Sequence, residues 1–342
     1  MNSARTRGAF ATPSTTAATT RRTVLASMLA ILACGAGMNV AHADTWPNRA
    51  VRMIVPFPPG AAPDVVARLL ADRLAQAWGQ SVVVENRPGA GGIPGMVALA
   101  HSAADGYTIG LVPAAAATLT PYLYKNPQYS IDKDLIPVAT VGTGPMMVVV
   151  NSNSPIDSLG ALVAYSKANP GKVNFAAAQP NSVPHLTGEM LNKATNMGLF
   201  TVPYQGSQAA VTAVLAGDAT VTMDGLPGLV GHVKGGKLRA IAVTSDKRLP
   251  GFESVPTVSE TYPGFESIGW FGVFAPVGVS SAVVEKLNAD VNKAVQTPEL
   301  TGRYAELGIY PRVGTPNDLK QFVSQQTALF KKVVEDLGLQ AQ

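Results

Sequence analysis

From Val51 onward, short apolar runs alternate with stretches of helical periodicity, and that alternation leaves few architectures open. Residues 51–57 form an apolar run ending in Pro58-Pro59-Gly60. Residues 63–78 follow with Val65, Val66, Leu69, Leu70, Leu74 and Trp78 on one stripe and Asp64, Arg68, Asp72 and Arg73 outside it, which is helical spacing. Pro63 suits the first helical turn, where no amide donor is missed. Further strands are predicted at 82–85 and 107–113, with a helix at 96–102. A second series opens at 145–151, with strands at 174–177, 200–203, 220–224 and 238–244 and helices at 158–168, 184–194, 208–216 and 229–234. Residues 269–276 give one more strand, and the tail is helical at 282–295, 299–307 and 316–337. Such alternation predicts mostly parallel sheets covered by helices. Ligands then sit beyond the carboxyl ends of strands, at helix starts.

The chain has 342 residues, enough for two lobes of ~150 residues each. Residues 1–43 are set apart as an export leader. Arg21 and Arg22 precede an apolar stretch over 24–40, and Ala41-His42-Ala43 is a small-x-small cleavage site. The paired arginines resemble a twin-arginine signal. Loss of Arg5, Arg7, Arg21 and Arg22 leaves 22 basic residues against 22 acidic ones, so the formal charge of +4 belongs to the leader. Without a basic excess, nucleic-acid binding is not expected. The single cysteine, Cys34, falls in the leader, so no disulfide, thiolate or cysteine metal site is expected in the exported chain.

Familiar chemical signatures fail on inspection. Gly231 to Lys237 has P-loop spacing, but Leu238 stands where the magnesium-binding hydroxyl belongs, and the stretch ends a helix instead of opening one. In Gly89-Ala-Gly91-Gly92-Ile-Pro94, proline takes the third glycine's slot of a dinucleotide loop. A tight turn with free amides is the better reading. His101, His185 and His232 form no zinc-binding pair, and no Gly-x-Ser-x-Gly elbow exists. What remains is a set of donor-rich loops, at 57–63, 113–118, 179–185, 204–207 and Asp224-Gly225. Helix starts carry unsatisfied N–H groups and partial positive charge, which suits a carboxylate without an arginine.

At these loops the chain resembles the Bug-type solute-binding proteins of tripartite tricarboxylate transporters. The resemblance rests on residues 51–60 (VRMIVPFPPG), 84–92 (VENRPGAGG), 105–108 (DGYT), 202–207 (VPYQGS) and 238–245 (LRAIAVTS), with 255–258 (VPTV) and 270–272 (WFG), and runs in order over 46–337. It implies a periplasmic, two-lobed α/β fold of the type II periplasmic-binding-protein kind, with a hinge and an interlobe ligand cleft. One lobe would be 44–144 plus 272–342 and the other 145–271, with chain crossings near 142–146 and 269–275. No cofactor, metal or catalysis is implied. The partners implied are a small organic acid, a dicarboxylate or an aromatic carboxylate, and the integral membrane transporter subunits, with the receptor itself a monomer.

The resemblance also implies a ligand site. The first loop supplies Phe57, Pro59, Gly60, Ala61, Ala62 and Asp64, its amides gripping a carboxylate; Ala61 and Pro63 stand where the family has glycine and often threonine. Ala114 and Ala115 follow the third strand. The second lobe supplies Gln179, Ser182, His185, Tyr204, Gly206, Ser207 and Asp224, the last as acceptor for a ligand hydroxyl or amine. Val183 and Pro184 replace smaller polar residues and suggest a less polar pocket. The alternatives are a periplasmic esterase using Ser182 or Ser207 with His185, and a ligand sensor for a signalling receptor.

Overall fold

Five residues, Val51–Val55, form strand β1, buried at all but Arg52. In this computed structural model the described residues are 1, 8, 9, 46–178 and 182–341; the leader's apolar stretch, Cys34 and Gln179 lie outside them. Helix α1, Ala62–Trp78, buries Val66, Leu70 and Leu74 and stops at Gly79 in the left-handed region, φ 64°. There follow β2 (Val82–Asn86), α2 (Ile93–Ala100) and β3 (Thr108–Pro113), then a π-helical turn (Ala115–Leu119) and the one-turn helices α3 (Thr120–Leu123) and α4 (Ile131–Asp134). Strand β4, Leu135–Asn151, is 17 residues long. Beyond it come α5 (Leu159–Ala168), β5 (Asn174–Ala178), α6 (Val183–Thr195), β6 (Phe200–Tyr204), α7 (Ser207–Ala216), β7 (Val221–Gly225), α8 (Leu226–Lys234) and β8 (Leu238–Val243). The chain ends with β9 (Ile268–Pro276), α9 (Ser281–Val295), α10 (Pro298–Glu306), β10 (Tyr310–Pro311) and α11 (Pro316–Asp336).

The strands join in the order β2-β1-β3-β9-β4-β7-β5-β6, with β8 and β10 also on β4. Within each half the βαβ units are parallel: β1 with β2 and β3, and β5 with β6 and β7. The two halves meet through β4. Its residues 135–145 pair with β9, and its residues 146–151 pair with β7 and β8. Register shifts at Pro137/Ala139 and Thr140/Gly142 mark bulges, which bend a strand and sharpen its twist. Along Met147–Val150, alternate residues enter two different cores: Val148 and Val150 with Phe175 and Met223, Met147 and Val149 with Val214 and Leu229. A strand buried on both faces reads as an unbroken apolar run, as this one does.

The tail returns to the first half. Trp78 Nε1 donates to Asp290 at 2.7 Å, Asn288 Nδ2 to the Val138 carbonyl at 2.8 Å, and the Tyr304 hydroxyl to the Val66 carbonyl at 3.2 Å. Side-chain caps set three tail helix starts, with Ser280, Thr297 and Thr315 each accepting an N–H from the first turn.

Two expectations need correction. The sheet is mixed instead of mostly parallel, because β4 and β9 run antiparallel to each other and to their neighbours β7, β8 and β3. Also, β4 begins at Leu135, ten residues before the expected start. Pro137, Gly142, Gly144 and Pro145 read as breakers in sequence, but here they sit at bulges and at the passage between the halves.

Candidate functional site

The parallel pairing puts the carboxyl ends of β1, β2 and β3 on one edge of the first half, and those of β5, β6 and β7 on one edge of the second. A cavity of about 420 Å³ is built between these edges. The first half contributes Phe57, Ala62 and Pro63 from the loop after β1 and the start of α1. It adds Gly91, Pro113, Ala114, Ala115, Leu119, Thr120, Leu123 and Tyr124. The second half contributes Ser182, Val183 and Pro184 at the start of α6, and β9 contributes Gly269, Trp270 and Phe271. Among the described residues no charged side chain lines it. Of the residues expected at the site, the cavity wall unites Phe57, Ala62, Ala114, Ala115 and Ser182. It does not include Pro59, Gly60, Ala61, Asp64, His185, Tyr204, Gly206, Ser207 or Asp224.

The first loop is tied down from beneath. Asp64 is 3% exposed. Its Oδ2 accepts the Gly60 N–H at 2.8 Å and Arg68 Nε at 3.0 Å, and its Oδ1 accepts Asn86 Nδ2 at 2.9 Å. Asn86 also donates to the Phe57 carbonyl at 3.0 Å. Burial pushes the Asp64 carboxyl up, but Arg68, the Gly60 N–H and Asn86 outweigh it and hold the group below the ordinary carboxylate range. The Ala61 N–H goes to the Pro58 carbonyl at 3.3 Å. Gly60 and Ala61, expected to offer amides to a ligand, thus spend them on the loop itself. Asp64 is a positioning residue for the loop, and the amide left at this helix start is that of Ala62, at the first helical position where no carbonyl lies one turn back.

Gly91 has φ +66°, and a Cβ there would lie 2.8 Å from Thr120 Oγ1 and 2.9 Å from the Tyr124 ring. Thr120 Oγ1 donates to the Gly91 carbonyl at 2.8 Å, locking the glycine loop to the wall. Trp270, 1% exposed, packs edge-on to Phe322 with ring centroids 5.7 Å apart, and the Arg312 guanidinium lies over the Phe322 ring, 4.3 Å from its centroid. The Trp270 Nε1 is buried without a hydrogen-bond partner.

In the second half, Ser182 caps α6. Its Oγ accepts the His185 N–H at 3.3 Å and donates to the Ala178 carbonyl at 2.5 Å. His185 Nε2 lies 3.7 Å from Glu189 Oε1. Burial pushes the imidazole down, with Glu189 pulling it partly back. Gly206 opens α7 with φ +102° and no side-chain cap. Asp224 ends β7; its Oδ1 accepts the Gly225 N–H at 2.7 Å, and its Oδ2 is buried without a partner. Burial pushes this carboxyl above its ordinary value, and the Ser207 hydroxyl and the Gly225 N–H offset only part of the rise. The Ser182 proton is committed to a carbonyl, and Ser207 is turned toward Asp224. Neither arrangement prepares a serine nucleophile for His185. Among the described residues no cluster of His, Cys, Asp or Glu could hold a metal ion, and no helix is long and apolar enough to cross a membrane.

The family model of the tripartite tricarboxylate transporter family receptor matches residues 66–339. The chain belongs to this receptor family. The BugT protein of Bordetella pertussis is 39% identical over 320 residues, covering 92% of this chain and 98% of that one. Rpa4515 of R. palustris, solved with adipate, is 31% identical with a TM-score of 0.76, over 87% of this chain and all (100%) of that one. MatC (Rpa3494) from Rhodopseudomonas palustris, solved with bound malate, is 30% identical with a TM-score of 0.70, over 84% of this chain and 100% of that one. The receptor fold is the two-lobed α/β fold of periplasmic binding proteins, and here the cavity occupies the interlobe position.

Sequence reasoning missed Leu119, Leu123, Tyr124, Trp270 and Phe271 as wall residues. Trp270 and Phe271 had been marked only as carriers of the family resemblance. Apolar residues in apolar segments read as core, and only the chain's path shows which of them face a cavity.

Proposed function

We propose that the chain is a non-catalytic periplasmic receptor that captures a small organic acid in the cavity between its halves and hands it to membrane transporter subunits. The observation that carries this reading is the cavity itself. It lies between two sets of strand ends, and the starts of α1 and α6 both reach its wall. Helix starts stabilise an anion with backbone amides and partial positive charge. The adipate and malate bound by two receptor relatives support an acid as the ligand.

The lobes are assigned to 44–144 plus 272–342, and to 145–271. The tail's hydrogen bonds to α1 and β4 support this division, as do β4 and β9, which pass side by side through the junction. The paired strands at 142–146 and 269–275 form the hinge, and closure brings the second-lobe edge with Tyr204, Gly206, Ser207 and Asp224 toward the ligand. Thermal unfolding of the purified chain with a panel of acids and their neutral amides tests the reading. An acid at a hundred times its dissociation constant stabilises a fold by about 2.7 kcal/mol, a shift of several degrees. A shift with an amide or sugar and with no acid contradicts it.

A further inference from the structure

Among the described residues, the cavity wall is poor in polar groups for reasons that trace to single residues. Pro63 and Pro184 stand at the second positions of α1 and α6 and both line the cavity. Proline has no N–H, so each helix start loses a donor there. The third amide of each start is also engaged, Asp64 N with the Ala61 carbonyl at 2.9 Å and His185 N with Ser182 Oγ. One amide per helix remains, at Ala62 and Val183. The wall hydroxyls of Thr120 and Ser182 donate to the Gly91 and Ala178 carbonyls. Among the described residues the other side-chain donors on the wall, Tyr124 and Trp270, are neutral. Flat and branched apolar surface comes from Phe57, Leu119, Leu123, Val183 and Phe271.

Resting on the carboxylate reading above, we infer that the ligand is a monocarboxylate with an uncharged aromatic or alicyclic body, and that Pro63 and Pro184 set this specificity. At the two helix starts, the Ala62 and Val183 amides are the donors left for one carboxylate. A second carboxylate or a row of hydroxyls would lose its water against an apolar wall without enough partners, and burying an unpaired charge is far costlier than burying a hydrocarbon ring. The ring instead gains from the apolar area it covers.

Calorimetric titration of the purified full chain with benzoate, cyclohexanecarboxylate, malate, adipate and benzamide tests the inference. At least one ring acid is expected to bind about tenfold or more tightly than malate and adipate. The Pro63→Ala and Pro184→Ala variants, which restore an amide at positions open to any residue, are expected to narrow that gap by about threefold or more. A proline with only a structural role would change all affinities alike. Malate or adipate binding as tightly as both ring acids overturns the inference and leaves the carboxylate reading standing. Failure of all four acids, with or without benzamide binding, overturns both. An unchanged gap in both variants removes the prolines from the specificity.

Discussion

The two strand-end regions treat a buried carboxylate in opposite ways. In the first half, Asp64 is enclosed by the Gly60 N–H, Arg68 and Asn86, and every partner belongs to the chain itself. In the second half, Asp224 has the Gly225 N–H on Oδ1 and the Ser207 hydroxyl turned toward it, while its buried Oδ2 makes no hydrogen bond within the chain. The first loop is therefore finished before a ligand arrives, whereas the second-half edge holds an acceptor that costs free energy where it stands. The difference also explains the cavity's chemistry: a loop that satisfies its own amides turns a mainly apolar surface outward.

The largest expected effect breaks the first region. Asp64→Ala leaves Arg68, Asn86 and the Gly60 N–H without their shared acceptor. It is expected to destabilise the fold by about 2–3 kcal/mol, the range for charge-assisted bonds, and to weaken acid binding, as read by urea unfolding and calorimetry. Next, Gly91→Ala sets a Cβ against Thr120 and Tyr124 at positive φ and is expected to cost about 1–3 kcal/mol. If Gly91→Ala costs nothing in a Thr120→Ala/Tyr124→Ala background, where both contacting side chains are gone, strain at φ +66° matters little. Ser182→Ala removes the α6 cap and is expected to cost about 1 kcal/mol, while ester hydrolysis stays at the level of buffer; measurable turnover that the variant abolishes would revive a hydrolase.

The smallest effect carries the sharpest contrast, because its sign reverses. Asp64 is shifted below the ordinary value of 3.8, so its stabilisation is present above that pH and fades as pH falls through the folded-state value. Asp224 is shifted above 3.8, so stability is lost as pH rises from that value through the folded-state one. Relative to the parent protein, Asp64→Asn should therefore lose ground as pH rises through the folded-state value of Asp64 to 3.8, and Asp224→Asn should gain ground as pH rises above 3.8, by about 1 kcal/mol or less. Urea midpoints between pH 3 and 7 check this. Parallel pH profiles for the two variants would erase the distinction between the regions.

Much of this arrangement was legible before the structure. Pro58-Pro59-Gly60 after an apolar run marks a strand end, and a serine three residues before His185 marks a helix cap, so local chemistry points to the loops at 57–63 and 179–185, while the family resemblance supplies Phe57, Ala62 and Ser182 within them. Asp64 was placed correctly at a helix start, but its role depends on Asn86, 22 residues away, a proximity that only the β1–β2 pairing creates. Leu119, Leu123, Trp270 and Phe271 had no signal to separate wall from core. The early start of β4 was hidden because Pro137 and Gly142 break the pattern of a regular strand but are tolerated at bulges.

The central claim is that backbone amides at two helix starts hold the ligand's carboxylate. Ala62→Pro and Val183→Pro test it most directly, since proline at a first helical position deletes the N–H and leaves the helix intact. The acid found by the titration panel is measured again by calorimetry against both variants, with thermal unfolding as the control for folding. The account predicts that each variant binds the acid about tenfold or more weakly, the loss of one charge-assisted hydrogen bond, with its unfolding temperature nearly unchanged. Affinity equal to the parent's in both variants would contradict it.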